Sequence, residues 1–347
     1  MKSRKGPATL APELAPPRKE AVDLASGIWE VIEGVSMVAA VTHKDADGDT
    51  LGSALALALA LEPLGKVVPV LSSPPVPVTW GFLPGIERVN RDPVRPGVPV
   101  FLFDAGDPER AGQFTSLVRS APTVVNIDHH VTNARFGKFN LVCTDAASTG
   151  ELLFDLFKAW KIPIPPEAAG CLYATILSDT GGFRHENTSG HALRAAAELV
   201  GLGADPVTLA RGLFKSRPAS YLRMQGQILH GLRFEFDDRL VWGAISQADL
   251  KQSGAAAEQA DSAIDQLNTL KGQELAILFK EAGPNLIKVS IRSRDQIDAS
   301  ALAATFGGGG HHRAAGAELA LPLQQAQDRV LAEARRRMGE LKWTPGS

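Results

Sequence analysis

Three apolar runs of strand length, at residues 35–41, 98–103 and 123–127, each give way at their carboxyl end to acidic or imidazole side chains. His43-Lys44-Asp45-Ala46-Asp47-Gly48-Asp49 follows the first, Asp104 the second, and Asp128-His129-His130 the third. Runs this short and this apolar suit strands buried on both faces. Helical patterns lie between and beyond them, including an Ala/Leu stretch over about 50–64. Apolar strands alternating with helices predict a doubly wound, parallel α/β sheet. In such sheets functional groups collect in the loops beyond the carboxyl ends of the strands, where these Asp and His clusters fall.

The chain has 347 residues, too many for one average domain, and 44% of them are hydrophobic, enough for two cores. Residues 1–20, rich in Pro, Lys and Glu, read as a disordered extension. A catalytic domain is expected over 21–213. Its further elements are a strand at 66–71 and helices at about 21–33, 148–160, 165–178 and 191–202, with Asp179 beyond the end of the third. The polar, basic segment 214–238 reads as a helical linker. A smaller α/β domain is expected over 239–342. Strands are predicted at 239–245, 274–280 and 286–293, with a turn at Glu281-Ala282-Gly283-Pro284-Asn285. A short helix at 298–305 leads into four glycines, Gly307 to Gly310, and a last helix covers about 323–340.

Charge narrows the partners. With 36 basic and 38 acidic residues the net charge is -2, whereas proteins that grip long nucleic acid by its phosphates carry a basic excess. A small anionic substrate fits better. The two cysteines, Cys143 and Cys171, form no CxxC pattern and read as reduced thiols of a cytoplasmic protein. No apolar run is long enough to span a bilayer, and none resembles a signal peptide, so no membrane association is expected.

Alone, each polar strand end has a bland reading: Asp104 as a cap, Asp128-His129-His130 as a solvated loop, residues 43–49 as a polar turn. Together they bring several carboxylates to one sheet edge, where they repel unless protons or cations neutralise them. Two divalent cations balance four aspartates. Mostly oxygen ligands with some imidazole point to manganese, Mg2+ or Co2+ being possible substitutes, and the absence of nearby thiols argues against structural zinc. Such a pair polarises water and clamps phosphoryl oxygens. Gly307, Gly308, Gly309 and Gly310 can bring bare backbone N–H groups against a phosphate, a flexible linker being the alternative. His311 adds a donor there. Arg292 can grip a phosphate with its guanidinium fork or form a surface salt bridge, and Arg184 is either a phosphate contact or a solvated charge.

HxxxDxD, a strand-end Asp, Asp-His-His, a later Asp and GGGGH, in this order, resemble the DHH phosphoesterases, and the compact length resembles their oligoribonuclease and 3′-phosphoadenosine 5′-phosphate (pAp) phosphatase type. The resemblance covers about 21–341. It implies that His43 and Asp47 bind one metal, Asp49 and His129 a second, that Asp104 bridges them and that Asp179 completes the set. His130 would contact the scissile phosphate or its water, and Asp128 would orient the histidines. The second domain would bind substrate across a cleft between the domains. Short single-stranded RNA or DNA and pAp are the implied substrates, and the resemblance is compatible with a homodimer. Ala46 departs from the proline usual in the first motif. Alternatives are a phosphodiesterase for linear dinucleotides left from cyclic dinucleotide turnover, and a non-catalytic nucleotide-binding regulator. An inorganic pyrophosphatase would carry a basic motif in place of GGGGH, and a RecJ-type exonuclease would be longer.

Overall fold

The computed structural model describes residues 16–341, which divide into two compact units at Ser216/Arg217. In the first unit α1 (Lys19–Glu33) leads into β1 (Ala39–Val41), α2 (Gly48–Leu61) and β2 (Val70–Leu71). β3 (Val100–Phe103), α3 (Thr115–Ser120), β4 (Val124–Asp128) and β5 (Phe139–Val142) follow, then α4 (Thr149–Trp160), α5 (Pro166–Asp179), α6 (Gly190–Gly201) and α7 (Pro206–Lys215). The five strands form one parallel sheet in the order β2-β1-β3-β4-β5. The doubly wound sheet expected from the apolar runs is therefore present.

Both faces of that sheet are covered, which is why its strands are apolar without alternation. Phe101, Phe103, Val125 and Ile127 face a core built with α1, α2, α4, α5 and α6. Val100, Leu102, Ala39 and Val41 face a smaller core that includes Val118 of α3. The chain goes from β1 outward to β2 and returns to lay β3 on the other side of β1. The β1/β3 junction is thus the point where strand order reverses, and the carboxyl ends there open a crevice. His43 follows β1 and Asp104 follows β3.

α2 is an Ala/Leu helix buried along almost its whole length, started by Asp47, whose side chain accepts the N–H groups of Asp49 and Thr50. It lies so close to α5 that a Cβ on Gly52 would sit 2.6 Å from Thr175 Cγ2 and 3.0 Å from the Cys171 carbonyl oxygen. Asp179 is the last residue of α5 and not beyond it.

The second unit holds α8 (Ala219–His230), β6 (Arg233–Glu235), β7 (Leu240–Ile245), α9 (Gln247–Ser253), α10 (Ile264–Leu267), β8 (Leu275–Gly283) and β9 (Leu286–Ser293). α11 (Ala299–Ala304), β10 (Gly309–His311), β11 (Ala314–Leu319) and α12 (Leu323–Gly339) complete it. Its sheet runs β10-β11-β9-β8-β7-β6, antiparallel except between β7 and β8. Leu275, Ile277 and Phe279 face α11 and α12, while Ala276 and Leu278 face α8 and α10.

Three expectations change. Residues 1–15 of the extension lie outside the described residues, but Arg18 and Lys19 are ordered and α1 starts at Lys19. The segment 214–238 is no linker over most of its length, because Tyr221, Met224 and Ile228 are buried in a core of the second unit and β6 pairs with β7. The glycine run is partly a strand. A Cβ on Gly308 would collide with the Gly316 carbonyl and one on Gly310 would sit 2.5 Å from that of Ala314, whereas one on Gly309 would meet open space.

Candidate metal centre

Asp104 sits at the carboxyl end of β3 with φ of 55°, a left-handed conformation that Asp tolerates better than most residues. Its N–H is held by the Ile127 carbonyl of the neighbouring strand at 2.9 Å. That geometry turns the carboxylate into a ring of imidazoles. Oδ2 lies 3.3 Å from His43 Nε2, and Oδ1 lies 3.4 Å from His129 Nε2 and 3.3 Å from His130 Nδ1. His43 Nε2 is also 3.6 Å from Asp47, which is half exposed. On the other side, His129 Nε2 is 3.4 Å from Asp179 and 3.8 Å from Asp49.

Three overlapping groups result: His43, Asp47 and Asp104; Asp49, His129 and Asp179; and Asp104, His129 and His130. Within each, one donor atom per residue lies within 4.8 Å of the others. Asp104 and His129 each belong to two of them. Asp128 stands behind. Its Oδ1 accepts the N–H groups of His129 and His130 at 2.8 and 3.2 Å and lies 2.7 Å from His130 Nδ1, while Oδ2 accepts from Asn133 at 2.5 Å.

The sequence alone did not reveal what holds Asp49. This carboxylate is fully buried, and the first N–H groups of α4 meet it: Thr149 donates to Oδ2 at 2.7 Å and Gly150 to Oδ1 at 3.0 Å. A helix N-terminus receiving an anion is a familiar arrangement, but it takes the fold to bring residues a hundred apart together. The one available signal was Ser148 with Glu151 three residues on, a helix-start pattern. The Thr149 hydroxyl further donates to Asp104 at 3.3 Å, and His129 Nδ1 donates to the Ala146 carbonyl at 3.2 Å.

The electrostatics are those of a site with surplus negative charge. Burial works against a charged imidazole at His43, yet Asp104 and Asp47 push its pKa up to about 9. Asp104 and Asp128 push His130 up to about 9 as well. His129 is held well above its ordinary range, burial being overcome by Asp104, Asp179 and Asp49. Burial and the Asp104 charge push Asp49 up to about 7, and burial with the Asp49 charge raises Asp179. Asp104 is held well below the usual range, its burial outweighed by the three imidazoles. Protons therefore do here what cations would do better, and the mix of carboxylate and imidazole donors fits a hard to borderline divalent ion.

The expected phosphate-binding residues fall in two places. Arg184 follows Asp179 in the first unit; its Nε donates to the Gly181 carbonyl at 2.5 Å and its guanidinium lies over the Phe214 ring. In the second unit the strand register puts His311 opposite Ala314 and Ala314 opposite Arg292. Directly opposed residues share a face, so His311 and Arg292 stand in one row on one side of the sheet. Arg292 Nε is 3.5 Å from Asp265, the salt bridge that was its alternative reading.

Fold and site together define a parallel α/β sheet whose strand ends gather Asp and His groups that could hold metal ions, and sequence comparison names the class. Residues 37–176 match the DHH family N-terminal domain and residues 242–340 the DHHA1 domain. The chain belongs to the DHH phosphoesterase family, hydrolases that act on phosphoester bonds. It is 36% identical over 323 residues to the bifunctional oligoribonuclease and PAP phosphatase NrnA of Thermus thermophilus, covering 91% of this chain and 94% of that protein. To NrnA of Bacillus subtilis it is 26% identical, over 73% of this chain and 79% of that one. The fold matches an exopolyphosphatase-related protein of Bacteroides fragilis with a TM-score of 0.84 at 22% identity, covering 94% and 98% of the two chains. No helix among the described residues is long and apolar enough to cross a membrane.

Proposed function

We propose that this phosphoesterase hydrolyses short oligonucleotides to mononucleotides and removes the 3′-phosphate of pAp, using two Mn2+ ions. The observation that carries the reading is the set of three overlapping Asp/His groups sharing Asp104 and His129 at the strand-order reversal. Its support from relatives is the 36% identity, over nearly the full length of both chains, to a protein named for both activities. In this reading His43 and Asp47 would hold one ion and Asp49 and His129 the other, while Asp104 would serve both and Asp179 would complete the set. When bound, the ions supply charge that acidifies water and steadies a phosphoryl group.

The rest falls to the chain's own side chains. His130, backed by Asp128, faces the reacting phosphate or its attacking water and can hold or give up a proton at its ring nitrogen. Asp128 keeps both imidazoles aimed by capping their backbone N–H groups. Arg292, His311 and the open backbone at Gly309 hold substrate phosphate, with Arg184 as a further contact; the Gly307 and Gly308 N–H groups expected to share this role are instead given to the Ala304 and Ala303 carbonyls at 3.1 and 3.0 Å. The near-neutral net charge agrees with a substrate of few phosphates.

A manganese-supplemented assay comparing pAp, dinucleotides, longer RNA and pyrophosphate tests the reading. Hydrolysis of pAp and dinucleotides well above long RNA and pyrophosphate is expected, with complete loss on chelation. Full-rate hydrolysis by chelated, metal-free protein would overturn it. Asp104→Asn tolerates the left-handed backbone and removes the shared charge, so turnover should vanish while the fold persists. Substantial turnover by this variant with two ions still bound contradicts the bridging role.

A further inference from the structure

We propose that Glu151 is a positioning residue for the candidate metal centre, acting through the turn at 146–150. The proposal rests on the metal-centre reading above. Glu151 is fully buried in the first turn of α4. Its Oε2 accepts the Ala147 N–H at 2.5 Å. Its Oε1 accepts from Arg18 at 3.0 Å and lies 2.7 Å from His191 Nδ1.

The turn it grips reaches most of the candidate ligands. The Ala146 carbonyl accepts from His129, the Thr149 and Gly150 N–H groups meet both oxygens of Asp49, and the Thr149 hydroxyl meets Asp104. The Ala147 carbonyl accepts from Asn187 at 3.1 Å, and the same amide nitrogen donates to the Asp179 carbonyl at 3.2 Å. Helix capping does not require Glu151, because Ser148 already caps α4 by accepting the Glu151 N–H at 3.1 Å. Burial would neutralise this carboxyl, but His191, Arg18 and the Ala147 N–H hold it below the usual range. It stays ionised and keeps its grip on Ala147. Asp155, on the next turn of α4, takes the other arm of Arg18 at 2.8 Å. A charge set behind a turn in this way fixes ligand directions without touching the metal or the substrate.

Groups behind first ligands change metal affinity by about 10- to 100-fold when removed. Mn2+ alone, titrated calorimetrically into metal-stripped protein, should therefore bind Glu151→Ala about 10- to 100-fold more weakly than wild type, with thermal melting confirming the fold. Glu151→Gln keeps an oxygen for the Ala147 N–H and should recover most of the affinity, a rescue that general destabilisation does not predict. On pAp, Glu151→Ala should lower kcat more than it raises KM. Wild-type Mn2+ affinity in folded Glu151→Ala, or equal affinity in the Ala and Gln variants, overturns the proposal. If Glu151→Ala does not fold, His191→Ala removes one partner of the carboxylate and should weaken Mn2+ binding severalfold; unchanged affinity there is equally decisive. A wild-type protein that binds no Mn2+ sinks the metal-centre reading itself. Tight wild-type binding with indifferent variants sinks only the positioning role.

Discussion

His43, His129 and His130 share one electrostatic situation: each is an imidazole held protonated by carboxylates. A cation must displace those protons, so metal affinity follows pH. Apparent Mn2+ affinity should climb from neutral pH to about 9 and fall on acidification, read by titration in matched buffers. The stability of metal-free protein runs the other way. A raised imidazole pKa contributes stability that is complete below the ordinary 6.5 and is lost as pH rises through about 9. A metal-free melting temperature that is flat across that window would contradict the assignment. Glycine positions separate structure from ligand approach. Gly309→Val puts its Cβ in open space and should raise KM for pAp with little change in melting temperature. Gly310→Val would force a branched residue to φ of 144° against β11 and should melt the second unit early. The candidate ligands were legible because acidic and imidazole residues are conspicuous after apolar runs. Thr149 and Gly150 were not, because they act through backbone N–H groups that every residue type carries.

The contact between α2 and α5 shows how an element positions chemistry. α2 begins with Asp47 and Asp49, and α5 ends with Asp179. Gly52 lets the two axes approach closely, and Gly150 does the same for α4, where a Cβ would collide with Thr175. Gly52→Ala should cost about 1–3 kcal/mol, the usual penalty for overpacking. The measurement is denaturant unfolding, and the change should also weaken Mn2+ binding. Unchanged stability would mean that the helices part freely. Elements with a plain hydrophobic period, such as α4 and β9, were readable from sequence to within a residue or two. α8 was read as helical but as part of a linker, because Tyr221, Met224 and Ile228 keep their helical spacing inside a basic stretch that reads as solvated. β10 and β11 were missed for a different reason. Gly and Ala have little preference for strands; β11 forms on the edge that β9 offers, and β10 on the edge that β11 then offers.

Two sets of cores divide the chain, and those of the second unit draw on residues from Tyr221 to Met338, with Leu341 packed beside them. Residues 217–341 should therefore fold alone and melt in one cooperative transition by circular dichroism, without binding Mn2+. A fragment that stays unfolded would show that this core depends on the first unit.

The alternation of the first four strands with helices, and the row of acids and imidazoles beyond the strands, were written in the linear pattern. Burial on both faces demands apolar runs, and strand ends demand polar residues, so composition along the chain carries that information. Which carboxylate is shared, which is sealed from water and which amides hold it depend on contacts between residues as far apart as Asp49 and Gly150. The same holds for His311 and Arg292, aligned by strand register alone. Such pairings are set by packing geometry, to which local residue preferences are blind.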